Sequence, residues 1–249
     1  MDGVLYKDDV PMPHLSEFMM FLRERSINFI CATNNSTNAP EAYSRKLARM
    51  NVEVRPDQIL TSGQATALYL SKIYPSGTRI HVFGMQALKN AVEEAGFILA
   101  DENVAAVVAS MDREITYEKI KRASLLINGG ARFIATNVDP TYPSKEGQLP
   151  GTGSMIAGIT VASGIKPEVV GKPEPLMFQL ALDIMGADAQ SSAMIGDRVE
   201  TDIIGGKNAN LFTICLLTGV SNRKEAETAG TDLICDDLTH LLEIWNRQK

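Results

Sequence analysis

Short apolar runs rich in β-forming residues alternate with amphipathic helical stretches along nearly the whole chain, and this alternation restricts the fold more than any other feature. The runs INFICAT (27–33), QILTS, RIHVFG, VAAVVAS, RFIATN, EVVG, SAMIG, LFTICLL and LIC read as strands. Helical patterns separate them. Leu15, Phe18, Met19 and Leu22 share one face before the first run. Ile120, Ala123 and Ile127 do so within 116–129, and Leu238, Leu241, Leu242 and Trp245 within 237–247. Strands alternating with helices predict an α/β fold with a mainly parallel, Rossmann-like sheet and helices on both faces. Ligands in such sheets lie beyond the carboxyl ends of the strands.

At 249 residues the chain is long for one domain and short for two full ones. No Pro-rich linker divides it, so a second domain is expected as an insertion with short hinges. Residues 138–151 carry three Pro and two Gly, and are expected to form the longest irregular stretch.

The formal net charge is -6, and no run of Lys and Arg forms a basic patch. That argues against nucleic acid and against an anionic membrane surface as partners. No segment reaches the roughly 18 apolar residues that span a bilayer. The N-terminus lacks the basic and apolar regions of a secretory signal. Cys31, Cys215 and Cys235 are far apart with no CxxC, which fits buried thiols in a reducing compartment. A cytoplasmic location follows as the default expectation.

Four strand ends carry polar clusters. In GDRVETD, Asp197 ends a strand and Asp202 lies in the first turn of the next helix. Paired carboxylates there suit Mg²⁺, which prefers oxygen ligands; helix capping would also account for them. In TNNS, Thr33 and the backbone amides that follow can bind an anion, though Asn and Ser also cap helices. In GKPEP, Lys172 sits between Gly and Pro, where it can neutralise a phosphate oxygen or be a surface lysine at a turn. In DG, Asp2 is a candidate general acid or a simple turn residue. A carboxylate pair, an anion-binding Thr, a Lys and an acid at the ends of strands together describe stabilisation of a transferring phosphoryl group.

MDGVLY, ATNNS, GKPEP and GDRVETDI also resemble, in order, the four motifs of the haloacid dehalogenase-like hydrolases. The stretches ATNVDPTYP and LPGTGS resemble the branch of NagD and the p-nitrophenylphosphatases. The resemblance implies a core formed by residues 1–76 and 167–249, with an α/β cap inserted at 77–166. It implies a Mg²⁺-dependent phosphatase for small phosphorylated metabolites, acting through an aspartyl-phosphate. Asp2 would be the acid/base and a backbone carbonyl ligand to the metal. Thr33, with Asn34 and Asn35, would bind phosphate. Lys172 would pair with phosphate and nucleophile. Asp197 would ligate the metal, and Asp202 would hold its shell directly or through water. Asn137 and Asp139 on a cap loop would contact the leaving group. A cap-to-cap homodimer is compatible with the resemblance.

The family pattern is an apolar strand followed by Asp-x-Asp-Gly, and here Met1 occupies the x. The expectation is therefore that the motif is cut between its two aspartates, without the nucleophile and its strand. On that expectation the 249-residue polypeptide is inactive and unstable. Two further readings are a non-catalytic phosphate-ester binding or regulatory protein of the same fold, and a receiver-type signalling domain. The length and the long insertion count against the receiver. A dinucleotide enzyme is disfavoured, because GTGSMIAG lacks the GxGxxG spacing and follows a loop.

Overall fold

A computed structural model describes residues 1–144 and 146–247. Along the chain it places β1 (Tyr6–Lys7), β2 (Val10–Pro11), α1 (Leu15–Glu24), β3 (Cys31–Thr33), α2 (Pro40–Ala48), β4 (Ile59–Thr61) and α3 (Ser62–Ile73). Then come β5 (Arg79–Phe83), α4 (Gln86–Glu94), β6 (Ile98–Leu99), β7 (Ala106–Ala109), α5 (Tyr117–Asn128) and β8 (Arg132–Ala135). The hairpin β9 (Thr141–Ser144) and β10 (Gly147–Pro150) leads to α6 (Thr152–Ser163) and β11 (Glu168–Val169). The chain closes with α7 (Pro175–Met185), β12 (Ala193–Gly196), α8 (Ile204–Asn208), β13 (Phe212–Leu216), α9 (Arg223–Thr228), β14 (Leu233–Cys235) and α10 (Leu238–Arg247). The α/β class with mainly parallel sheets is the one expected.

Local chemistry sets these boundaries. Helix α1 buries Leu15, Phe18, Met19 and Leu22, the spacing of one helical face. Helix α3 begins in a capping box: Thr61 Oγ1 accepts the Gln64 N–H at 3.1 Å, and Gln64 Oε1 accepts the Thr61 N–H at 3.3 Å. Helix α7 starts at Pro175 and ends at Gly186, whose φ of 60° is left-handed.

The chain divides into two compact units. The first comprises Met1–Ala32, Pro40–Leu60 and the chain from Lys172 onward; the second comprises Thr33–Ala39 and Thr61–Gly171. The insertion expected at 77–166 lies within the second unit, which also holds Thr33–Ala39, Thr61–Ser76 and Pro167–Gly171.

The second unit holds a five-stranded sheet in the order β11-β8-β7-β5-β6, with every pairing parallel. Strand β7 is buried along its whole length, as expected for a central strand covered on both faces. Phe83, Val107, Ala123, Ile127, Phe133 and Ile159 fill one side of this core.

The first unit is built differently. Strands β12, β13 and β14 form a parallel three-stranded sheet, while β3 and β4 form a separate two-stranded one. Among the described residues, β3 pairs only with β4 and β12 only with β13. Residues on and beside both strands line a cavity of about 820 Å³, with Phe18, Leu22, Ile30, Met177, Phe178 and Met194 among its apolar walls. Trp245 of α10 stacks on Phe18 and Phe21 of α1 at centroid distances of 6.1 and 5.7 Å.

Two local expectations change. Residues 138–151 are not irregular throughout, because Tyr142 pairs with Leu149 in the β9–β10 hairpin. Prolines within the hairpin hid it: a two-stranded ribbon has free edges, where a missing N–H removes no ladder bond. The helix expected at 200–209 is shorter. A wide π-type turn, Val199–Ile203, precedes α8. Among the described residues, no helix is long and apolar enough to cross a membrane.

Candidate active site

In the first unit, the loop after β12 gathers the charged groups. Lys172 Nζ donates to Asp202 Oδ1 at 2.7 Å, and both side chains are buried. Asp202 Oδ2 accepts the Asp197 and Arg198 N–H groups, each at 3.2 Å. One carboxylate thereby ties the lysine to the turn that carries Asp197. Asp197 Oδ2 accepts the Val220 N–H at 3.1 Å, and its backbone carbonyl accepts the Ser221 N–H at 3.0 Å. Ser221 Oγ in turn accepts the Val199 N–H at 2.9 Å.

Missing side chains make room for these carboxylates. A Cβ on Gly3 or on Gly219 would collide with the Asp197 carboxylate, and one on Gly196 would collide with Asp202. Gly3 is held there by its N–H to the Tyr6 carbonyl at 2.8 Å and by Thr218 Oγ1, which donates to the Gly3 carbonyl at 2.5 Å. Asp2, one residue earlier, is exposed, and its Oδ1 accepts the Gly3 N–H at 3.1 Å.

Burial, then the nearby charge of Asp202, raises the Asp197 pKa above the ordinary carboxylate value. Burial also opposes ionisation of Asp202, but the Lys172 ammonium, the N-terminal amine and the hydrogen bonds that the carboxylate accepts together outweigh that and hold the Asp202 pKa low. Among the described residues, no group of three or more His, Cys, Asp or Glu side chains gathers as a metal site. The residues present nevertheless suit a hard cation. Asp197 is a buried carboxylate whose charge is under-compensated, and its Oδ1 accepts no hydrogen bond among the described residues.

The remaining expected residues lie in the second unit. Thr33 Oγ1 accepts the Asn35 N–H at 3.2 Å. Asn35 Oδ1 accepts the Thr37 N–H at 2.9 Å and the Thr37 hydroxyl at 2.7 Å, closing a tight polar turn. Asn34 Nδ2 donates to Asp139 Oδ2 at 3.1 Å. The Asn34 carbonyl accepts from Asn137 Nδ2 at 2.8 Å and from Ser62 Oγ at 2.6 Å. Gly171 approaches so closely that a Cβ there would collide with the Thr136 carbonyl and press on Asn34 Oδ1.

The expected residues therefore form two constellations, Asp2, Lys172, Asp197 and Asp202 in one unit and Thr33, Asn34, Asn35, Asn137 and Asp139 in the other. Sequence reading missed Gly219 and Ser221 around Asp197, the approach of Gly3 to the same carboxylate, and Ser62 beneath Asn34. The GVS run at 219–221 contains no chemical motif of its own.

The chain belongs to the haloacid dehalogenase-like hydrolases. Residues 1–98 match the haloacid dehalogenase-like hydrolase family, and residues 169–241 match the HAD-hydrolase-like family. An acid sugar phosphatase of Staphylococcus epidermidis is 38% identical over 229 residues, 92% of this chain and 88% of the relative. The crystal structure of a 4-nitrophenylphosphatase from Thermotoga maritima superposes with a TM-score of 0.92 at 38% identity, covering 98% of this chain and 94% of that one. NagD from E. coli K-12 gives 0.90 at 31% identity, covering 96% and 94%.

Proposed function

We propose that the protein is a Mg²⁺-dependent phosphatase acting on small phosphate monoesters through an aspartyl-phosphate. The buried Lys172–Asp202 pair beside the under-compensated Asp197 carries this reading. A fixed cation and a buried carboxylate suited to a hard cation support it, in a chain similar to phosphatases. In the family pattern the nucleophilic Asp precedes the acid/base Asp by two positions, and none of the 249 residues given is assigned that role.

The chemistry runs in two steps. An oxygen of the nucleophilic Asp attacks phosphorus, and the ester P–O bond breaks as the acyl–phosphate bond forms. Asp2 gives its proton to the departing alkoxide. Asp2, now a carboxylate, takes a proton from water, whose oxygen attacks the phosphorus. Inorganic phosphate leaves and the nucleophilic carboxylate is regenerated. Lys172 offsets negative charge on the phosphoryl oxygens, and the Thr33 hydroxyl with the backbone N–H groups of the 33–36 loop binds them. Asp197, the Asp2 carbonyl and Asp202 would hold Mg²⁺, which supplies charge neutralisation at the phosphoryl group. Residues 77–166, within the second unit, act as the cap, and Asp139 lies on one of its loops. Small phosphorylated metabolites are the substrate class, and sugar phosphates are the first to try, given the named relative. The three cysteines are buried free thiols, which suits the cytoplasm, and a cap-to-cap homodimer is the assembly to look for.

The test is a panel of p-nitrophenyl phosphate and sugar phosphates with Mg²⁺ or EDTA. It is run on the 249-residue polypeptide and on the same chain preceded by an apolar strand ending in Asp. Turnover is expected only for the extended chain and only with Mg²⁺. Phosphate binding without turnover in both would favour a non-catalytic phosphate-ester binding protein. Neither binding nor turnover in the extended chain would sink both.

A further inference from the structure

Beneath the anion-binding loop of the second unit lies a buried chain of polar side chains that phosphoryl transfer does not itself require. Ser36 Oγ bonds Ser110 Oγ, which bonds Thr136 Oγ1 at 2.7 Å. The neighbouring Asn137 is 2% exposed. Both of its ends are engaged. Nδ2 donates to the Asn34 carbonyl at 2.8 Å, and Oδ1 accepts the Asp139 N–H at 3.1 Å. Asp139 then accepts the Asn34 side-chain amide, closing a ring of three residues.

The Asn34 carbonyl takes two donors, Asn137 Nδ2 and Ser62 Oγ, which fills both of its lone pairs. The peptide unit is planar, so fixing that carbonyl also fixes the Asn35 N–H on the opposite side of the same plane. The Asn35 N–H meets Thr33 Oγ1 at 3.2 Å. A hydroxyl oxygen that accepts along one direction has its own hydrogen turned away from that bond. The pinned peptide therefore determines where the Thr33 O–H points.

We propose that Asn137 is a positioning residue. With Ser62 it clamps the Asn34–Asn35 peptide and so aims the Thr33 hydroxyl at a phosphate oxygen. This rests on the phosphatase reading above, with the contact to substrate left to the loop and not to Asn137.

The experiment uses the full chain, inorganic phosphate with MgCl₂ as the probe, calorimetry for affinity, and the Asn35 amide resonance as the local signature. Asn137→Ala should weaken phosphate by about tenfold, the size expected for losing one hydrogen bond. It should also shift the Asn35 amide proton while leaving the first unit's amides in place. Ser62→Ala, which removes the other donor to the same carbonyl, should move the same resonance and weaken phosphate in the same direction. It serves as the readout should Asn137→Ala fail to fold. Phosphate affinity within twofold of the unaltered chain in the folded variants would overturn the inference alone. Failure of the unaltered chain to bind phosphate, with Lys172→Ala indistinguishable from it, would overturn the underlying reading and this inference with it.

Discussion

The two sheets of this protein solve the same problem to different degrees. In the second unit five parallel strands pair without a break, and the central β7 is wholly buried. In the first unit the strands stand as a pair and a trio, and residues of β3 and β12 look into a common apolar cavity of about 820 Å³. Both units have apolar strands and covering helices. The difference is that the second satisfies its backbone ladders internally, whereas the first leaves two strand edges and a space that one more apolar strand would fill.

The largest effect should come from closing that difference. An apolar strand of five or six residues placed before Met1 should raise the thermal midpoint by on the order of 10 °C. It should slow amide exchange in β3 and β12 while leaving β5, β7 and β8 unchanged. Unchanged exchange in β3 and β12 would mean that the edges are already protected some other way.

Next in size is Lys172→Ala. It strands Asp202 as a buried, uncompensated charge, an effect of about 3–5 kcal/mol. Denaturant unfolding at neutral pH measures it, and the loss should localise to the first unit. Replacing Lys172 and Asp202 together by Met and Leu should lose much less stability.

Packing offers a smaller and more direct contrast. Ile134 on β8 is fully buried in the unbroken sheet, and Ile134→Ala should cost about 2–5 kcal/mol. Ile30 already faces the cavity of the first unit, so Ile30→Ala should cost well under half as much. Equal losses at the two sites would show that the cavity is not a void for its walls.

The smallest expected effect concerns pH. The Asp197 pKa is raised in the folded state, so its contribution to stability is best below its unfolded pKa and is lost as pH rises through the folded one. Asp197→Asn should therefore stabilise the metal-free chain at pH 7 and leave it unchanged near pH 3. Asp202 has the opposite sign. Its pKa is lowered, and the stability from its ion pair is lost as pH falls through the folded value. Melting curves at the two pH values separate the two groups.

Much of the fold was legible because its periodicities are local. The face of α1 follows from four residues, and β7 from a continuous apolar run. The ends of the strands were legible because Asp, Thr and Lys stand immediately after such runs. What stayed hidden depends on residues far apart in the chain. Ser62 reaches the Asn34 carbonyl across 28 positions and Asn137 across 103, and neither spacing has a pattern. The hairpin at β9 and β10 was obscured by prolines that a paired ribbon tolerates at its free edges. The three glycines around the carboxylates were invisible for another reason: their role is the absence of atoms.

The assignment of Thr33–Ala39 to the second unit bears on how this protein can be recombined with its relatives. A chimera that exchanges only residues 61–171 replaces Ser62, Ser110, Thr136 and Asn137 by a relative's residues but retains the native Asn34 and Ser36. The exchanged piece would then meet a loop it did not evolve with. A clean crossover has to carry both segments, which means that two separated stretches of sequence must be inherited as one.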